Sequence, residues 1–219
     1  MSLGVAIPTY SKHYPFLQSL LENIASSTVK PDMISVSCSS MIQTDEVHTT
    51  VRGIPVVISY SMKSYNPSQN RNRAISKLNT DFVSLIDGDD LMHPQRIEYV
   101  KATLLQNPDI AGVYHSYKHS LLANRNDPFE VLDPPALNRD VQLSPSGLGL
   151  VVPRESGGTY DLHHAHGTFR RQVLQQFPFD ERPEYKYAED SVHASILARN
   201  GVPLGYLANP LTRYMMGTR

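Results

Sequence analysis

The chain predicts an α/β fold, a doubly wound, mostly parallel sheet with helices on both faces and a loop-rich C-terminal half. Three observations carry that expectation. Short apolar runs of strand length alternate with segments of helical periodicity as far as residue 117, the pattern in which crossover helices join parallel strands. The run at residues 82–86 ends abruptly in Asp87, Asp89 and Asp90 around Gly88, and open α/β sheets bind ligands at the carboxyl ends of their strands. Beyond Ser120 the alternation weakens and prolines gather over residues 128–153, which predicts loops.

In chain order, residues 4–7 read as a buried strand, and Pro8-Thr9-Tyr10-Ser11 turns out of it into a helix over 14–27. There Phe16, Leu17, Leu20, Leu21 and Ile24 recur at helical spacing. Residues 33–37 read as a second strand ending at Cys38-Ser39-Ser40, and residues 55–60 as a third. Asn66 and Pro67 offer an N-cap and a first-turn proline for a helix through residue 78, with Asn70, Arg71, Asn72 and Arg73 in its early turns. The 82–86 strand comes next, then a helix over 94–106 carrying Ile97, Val100 and Leu104, and a strand over 110–117. Residues 121–146 fit no element and read as an excursion over the surface. Further on, the sequence predicts a strand at 148–152, a flexible break at 156–158 and a short helix at 170–177. A last helix, entered through 185–190, runs to Asn200 and stops at Gly201 and Pro203.

Composition narrows the function. The 219 residues suit one domain. A net charge of −1 gives no electrostatic footprint for nucleic acid or an anionic membrane, so a small polar ligand is expected. No apolar stretch approaches the ~20 residues that span a bilayer, no signal-peptide pattern opens the chain, and the one cysteine, Cys38, excludes an internal disulfide. A soluble, cytoplasmic protein is expected.

Asp87, Asp89 and Asp90 repel one another unless donors or a cation neutralise them, and hard divalent ions such as Mn²⁺ or Mg²⁺ prefer oxygen ligands. The motif predicts a metal, and behind it a phosphate. The plainer reading is an Asp-Gly turn in which Asp90 caps the following helix.

Together these segments resemble the GT-A-type nucleotide-sugar glycosyltransferases, in particular the large inverting family 2. The resemblance rests on Val5-Ala-Ile-Pro-Thr-Tyr10, Asn70-Arg-Asn-Arg-Ala74, Leu85-Ile-Asp-Gly-Asp-Asp90 with His93-Pro94, Gly167-Thr-Phe-Arg-Arg171, Phe179-Asp-Glu181, and Glu189-Asp190 heading a helix that ends in Asn200-Gly201. It implies a single GT-A, Rossmann-like domain over 1–219, with a nucleotide-binding half at 1–118 and an acceptor-binding half at 119–219. A place for the domain within a larger multidomain polypeptide is compatible with this resemblance.

It also implies roles. Pro8, Thr9 and Tyr10 hold the nucleobase, with Tyr10 able to stack on it. Arg71 lies beside base and diphosphate, against the plainer reading of an exposed helix arginine. Asp87 and Gly88 serve the ribose or base side of the donor, Asp89 ligates Mn²⁺ or Mg²⁺, and Asp90 supports it. Transfer by single displacement needs one carboxylate to take the acceptor proton, and Asp190 stands at that position. Glu189 orients it or holds an acceptor hydroxyl; the plainer reading has both acids capping a helix. His163, His164 and His166 lack a zinc signature. Among them His166 is favoured for hydrogen bonding to donor sugar, diphosphate or acceptor, beside a purely structural reading, and His93 closes a turn.

Three departures from the family stand out. Cys38-Ser39-Ser40 replaces the acid that often bonds the uracil edge, so that Ser39 or a backbone group serves instead. Met215 stands in Arg213-Tyr-Met where relatives often have histidine, leaving diphosphate and water, or another histidine, to complete the metal. No C-terminal membrane helix follows, which fits a single transfer to a soluble or peripheral glycan or glycoconjugate acceptor. A UDP-sugar is the favoured donor, with GDP- and dTDP-sugars open. The rival functions are a sugar nucleotidyltransferase, disfavoured by the absence of a glycine-rich basic loop after the first strand, and a catalytically silent sugar-nucleotide- or glycan-binding module.

Overall fold

The computed structural model describes residues 1–154, 158–162 and 166–217. Most of the break at 156–158, together with His163 and His164, lies outside the described residues. The elements in order are β1 (Leu3–Tyr10), α1 (Tyr14–Ala25), β2 (Met33–Ser39), β3 (Glu46–Val51), β4 (Ile54–Tyr60), α2 (Pro67–Ser76), β5 (Phe82–Leu85), β6 (Leu91–Met92), α3 (Arg96–Gln106), β7 (Gly112–Leu121), β8 (Leu137–Asn138), β9 (Gln142–Leu143), β10 (Leu150–Pro153), β11 (Thr159–Asp161), β12 (Gly167–Arg170), α4 (Arg171–Gln176), α5 (Glu189–Arg199) and β13 (Leu204–Met216).

Among the described residues one sheet runs β3-β4-β2-β1-β5-β12-β7-β13-β6, with β8 beside β13. Strands β4, β2, β1 and β5 are parallel, as are β7 and β13. Strand β12 is inserted antiparallel between β5 and β7. Strands β3, β6 and β8 add antiparallel edges. A separate three-stranded sheet joins β11, β10 and β9.

The sheet is covered on both faces because β1 alternates its buried side chains. Leu3, Val5 and Ile7 pack with Leu17, Leu20 and Ile24 of α1 and with Ile97 and Val100 of α3. Ala6 packs with Ala74 of α2, Leu174 of α4 and Leu197 of α5. Each fully buried Leu or Ile contributes about 1.5–3 kcal/mol relative to exposure. These two cores therefore fix the carboxyl edge of the parallel strands as the rim on which the acids stand.

Helix α2 begins as its sequence predicts. Asn66 Oδ1 accepts from the Gln69 backbone N–H (2.9 Å), and Gln69 Oε1 accepts from the Asn66 N–H (3.0 Å), with Pro67 in the first turn. Elsewhere the boundaries move. Strand β1 runs through Pro8, Thr9 and Tyr10 instead of turning at residue 8, and α3 starts at Arg96 with Gln95, not Asp90, at its N-cap. Asp90 does not cap: its Oδ1 accepts the Met215 backbone N–H at 2.9 Å, tying the acidic loop to β13. His93 does close the turn before α3, accepting from the Gln95 N–H at Nδ1 (3.1 Å) and bonding the Glu130 carbonyl through Nε2 (2.8 Å).

Within the expected excursion at 121–146, residues 122–132 form a strap over the rim, while β8 and β9 pair with β13 and β10. Leu132 N–H donates to Gln95 Oε1 (2.8 Å), and Arg125 donates to the Asp89 carbonyl (2.6 Å) while its guanidinium lies 5.1 Å from the Phe16 ring. Arg213 holds the same strap from below, donating to the carbonyls of Asp127 (2.8 Å) and Pro128 (3.1 Å) and stacking 4.1 Å from Phe129.

Candidate active site

A cleft of about 850 Å³ opens where the carboxyl ends of β1, β2 and β5 meet the first turn of α5. Pro8, Thr9, Tyr10, Ser39, Arg71, Asp87, Gly88, Asp89, Glu189 and Asp190 all line it. Thus nine donor-side and acceptor-side residues expected from sequence, together with the expected base, share one wall-to-wall space, whereas His166 does not. A smaller cavity of about 410 Å³, between Leu150, Val202 and Leu204, has no carboxylate side chain among the described residues that line it. Its arginines are already engaged, Arg139 with Asp109 and Arg199 with the Gly147 carbonyl.

The Asn70-Arg-Asn-Arg segment explains how the cleft is held together, because successive helical residues point about 100° apart. Asn70 accepts from Ser37 Oγ and donates to Ser39 Oγ, both at 2.8 Å, binding α2 to the end of β2. Asn72 grips the backbone of Phe179 in both directions, at 2.9 and 3.0 Å. Arg73 donates to Ser37 Oγ (3.0 Å) and lies over the Tyr65 ring (4.7 Å).

Arg71 faces the acids. It is only 3 % exposed, which excludes the surface-arginine reading. Its Nη2 donates to Asp87 Oδ1 at 3.0 Å and its Nη1 pairs with Glu189 Oε1. Burial works against its charge, but the carboxylates of Asp87, Glu189 and Asp190 more than offset this and raise its pKa. One buried cation therefore joins the acidic loop after β5 to the first turn of α5.

Glu189 is accordingly committed to Arg71, which favours the orienting role over a bond to an acceptor hydroxyl. Asp190 does not cap: the N-cap is Ala188, with no side-chain bond. Its Oδ1 accepts from the following Ser191 N–H (2.7 Å), and the carboxylate lies on the cleft wall beside Glu189. Behind it His193 stacks on Phe179 (4.1 Å, 14° between planes), whose ring also meets the Arg71 guanidinium at 5.5 Å.

His166 is a correction. It is fully buried, 4.4 Å from the Tyr117 ring and 5.6 Å from His115, and its ring sits edge-on to Tyr214, which does line the cleft. It supports the cleft wall from behind. Met215 is likewise buried and reaches the acidic loop through its backbone N–H.

Gly88 is required by close approach. Its N–H donates to the Pro8 carbonyl (3.2 Å), and a Cβ at this position would stand 2.5 Å from Thr9 Oγ1. Gly88→Ala is expected to weaken nucleotide binding about ten- to a hundredfold, the equivalent of about 1–3 kcal/mol of overpacking, while the fold persists. Titration calorimetry with a nucleoside diphosphate, together with circular dichroism, checks both halves of that statement.

Arg71 neutralises Asp87, and Arg125 and Arg96 lie near Asp89 and Asp90. Burial, and then Asp87 and Asp89, push the Asp90 carboxyl well above the usual range, and its Oδ2 is buried without a hydrogen-bond partner. Among the described residues no group of three or more His, Cys, Asp or Glu can hold a metal ion alone. An oxygen-ligand divalent cation that draws further ligands from a phosphate fits this donor set.

Sequence reasoning missed several lining residues: His13, Tyr65, Lys186, Tyr187 and Tyr214. The first four lie in turns or beside the Pro67 break, where no periodicity marks them, and Tyr214 lies in β13, whose alternation Pro210 interrupts. Tyr187 is 88 % exposed, and Lys186 Nζ lies over its ring at 4.6 Å.

The chain belongs to glycosyl transferase family 2, whose model matches residues 4–177. Its fold is GT-A. Residues 1–349 of S. aureus TarS in complex with UDP superpose with a TM-score of 0.66 at 18 % identity, covering 99 % of this chain and 61 % of that one. The TarS complex with UDP-GlcNAc gives 0.66 at 19 %, covering 98 % and 58 %. The mannosyltransferase PcManGT from Pyrobaculum calidifontis, in complex with GDP-Man and Mn²⁺, gives 0.62 at 14 %, covering 97 % and 56 %. At such identities the likeness is one of fold. The chain spans about three fifths of the length of these structures. No curated protein matches it in sequence. Among the described residues no helix is long and apolar enough to cross a membrane.

Proposed function

We propose that the protein transfers a sugar from a nucleotide-sugar donor, a UDP-sugar in first place, to a hydroxyl of a glycan or glycoconjugate, with inversion and with Mn²⁺ or Mg²⁺. The observation that carries this reading is the Arg71 bridge, which sets the carboxylate of Asp190 across one cleft from Asp87 and Asp89. Residues 1–118 serve as the donor-binding half and 119–219 as the acceptor half, the cleft lying between their contributions.

On the donor side Tyr10 offers a ring to the base, and Ser39, whose Oγ accepts from Asn70, keeps its own proton to donate. Ser40, at φ 57°, turns the chain beside it. Asp87, held by Arg71, presents its second oxygen to the ribose. Asp89 would hold the cation, which, when bound, neutralises charge on the departing diphosphate. On the acceptor side Asp190 takes the proton of the attacking hydroxyl. Glu189, paired with Arg71, keeps that first turn in place, and Lys186 and Tyr187 line the approach. Single displacement follows from one base opposite one leaving group, with no second carboxylate assigned as nucleophile.

Nucleotide-sugar hydrolysis and transfer with and without Mn²⁺ test this reading. Asp89→Ala is expected to abolish the Mn²⁺-dependent part of UDP binding in calorimetry, a loss of at least about a hundredfold for removal of a charged metal ligand. Unchanged binding by that variant would remove Asp89 from the metal.

A further inference from the structure

His13 has no role in the reading above, yet it stands against the one carboxylate assigned to the cation. It occupies the N-cap position of α1 without making a side-chain cap bond, so the helix start does not depend on its ring. Its side chain is 12 % exposed, its Nδ1 is 3.5 Å from Asp89 Oδ1, and its ring lies on the cleft wall. On the other side Nε2 is 3.2 Å from Tyr10 Oη, with the two rings 4.4 Å apart.

We propose that His13 Nδ1 is a protein ligand of the divalent cation, beside Asp89, and that Tyr10 orients it. The inference rests on the donor-and-cation reading given above. The separation of 3.5 Å is longer than an ordinary N–H···O bond of about 2.7–3.2 Å. Yet it is within the span of two atoms that share one ion at about 2.1 Å each.

The tautomer completes the argument. If Nε2 carries the proton and gives it to Tyr10 Oη, then Nδ1 turns a lone pair toward the Asp89 carboxylate, an arrangement that repels unless a cation lies between. Metal-bound histidines characteristically donate their other ring N–H to such an outer partner, which fixes the ring and raises its basicity. Two protein ligands, one nitrogen and one oxygen, also agree with the lack of any described three-residue cluster. Diphosphate oxygens and water fill the remaining positions. An imidazole suits Mn²⁺ better than Mg²⁺, which keeps to oxygen, so this ligand would set a preference for manganese.

The experiment uses Mn²⁺ and UDP with the whole chain and needs no turnover. Electron spin echo spectra of the Mn²⁺·UDP complex are expected to show a directly coordinated imidazole nitrogen in the wild type. The nitrogen signal should vanish in His13→Ala and persist in Tyr10→Phe, whose ring stays in place. Calorimetry should show Mn²⁺, in the presence of UDP, binding at least about tenfold more weakly to His13→Ala, with the Mn²⁺-over-Mg²⁺ preference lost, and about tenfold more weakly to Tyr10→Phe. A wild-type complex that binds Mn²⁺·UDP without a coordinated nitrogen overturns the proposal and leaves the donor reading standing. A protein that binds no Mn²⁺·UDP at all overturns the donor reading itself. If His13→Ala does not fold, the wild-type spectrum decides alone.

Discussion

Asp190→Asn is expected to lower the rate of sugar transfer by about 10²–10⁴-fold, the usual contribution of a positioned general base, with UDP affinity unchanged. The substitution keeps the size of the side chain and lets the amide oxygen accept the Ser191 N–H that Oδ1 accepts now. Glu189, not Asp190, makes the contact with Arg71 that holds the first turn of α5. What is lost is the capacity to take a proton. The variant should therefore show calorimetric UDP binding within about a factor of two of wild type and the same melting temperature, with kcat falling and KM for the donor little changed. A variant retaining more than about a tenth of wild-type kcat would move the base elsewhere in the cleft.

The N-terminal half was legible in the sequence because its signals are local. An apolar run ending in Asp87, a helical stripe after Tyr10 and the Asn66-Pro67 start each follow from backbone periodicity or capping over a few residues. The Arg52-Gly53 turn, with φ of 47° and 82°, was as local. It joins β3 to β4 in the two-residue hairpin geometry that positive φ at both positions allows. Strand β3, Glu46–Val51, escaped sequence reading because it is exposed at every residue but Val51 and carries only two apolar side chains, Val47 and Val51.

The C-terminal half was less legible, since what organises it is non-local. Strand β13 pairs with β7, β6 and β8, but Pro210 interrupts its alternation and the register shifts on either side of that proline. Strand β12 is four residues long, and its place between β5 and β7 is fixed by tertiary packing. Gly112 lets Phe169 settle where a Cβ would stand 2.3 Å from the ring. The strap at 122–132 has no periodicity because its order comes from Arg125, Arg213 and Gln95 bonding backbone groups, and after it β8 and β9 are only two residues each, held by pairing with β13 and β10. His166 went wrong for a related reason: proximity to the Gly167 segment in sequence placed it beside the site, but the pairing of β12 with β7 carries it behind Tyr214.

Arg71→Met should be the most disruptive single change, because it leaves two carboxylates facing each other across a partly buried gap. Removing one partner of a buried ion pair typically costs about 3–5 kcal/mol. Here the Asp87 side chain keeps 23 % of its exposure and Glu189 10 %, so water recovers part of the loss and the lower end is expected. At about 2–4 °C per kcal/mol for a chain of this size, melting should fall by roughly 6–12 °C. Transfer should also fail, since both the acidic loop and the Asp190 turn lose their common anchor. Combining Arg71→Met with Glu189→Met separates the two consequences. The double variant no longer has two carboxylates facing each other, and the Asp87 that remains has a side chain 23 % exposed, so that water can solvate it. The double variant should thus regain most of the melting temperature while its transfer stays near the single variant's level. Equal instability of the single and double variants would show that Arg71 stabilises the fold through its packing on Phe179 rather than through the bridge. Full transfer by the double variant would show that Asp190 is positioned without it.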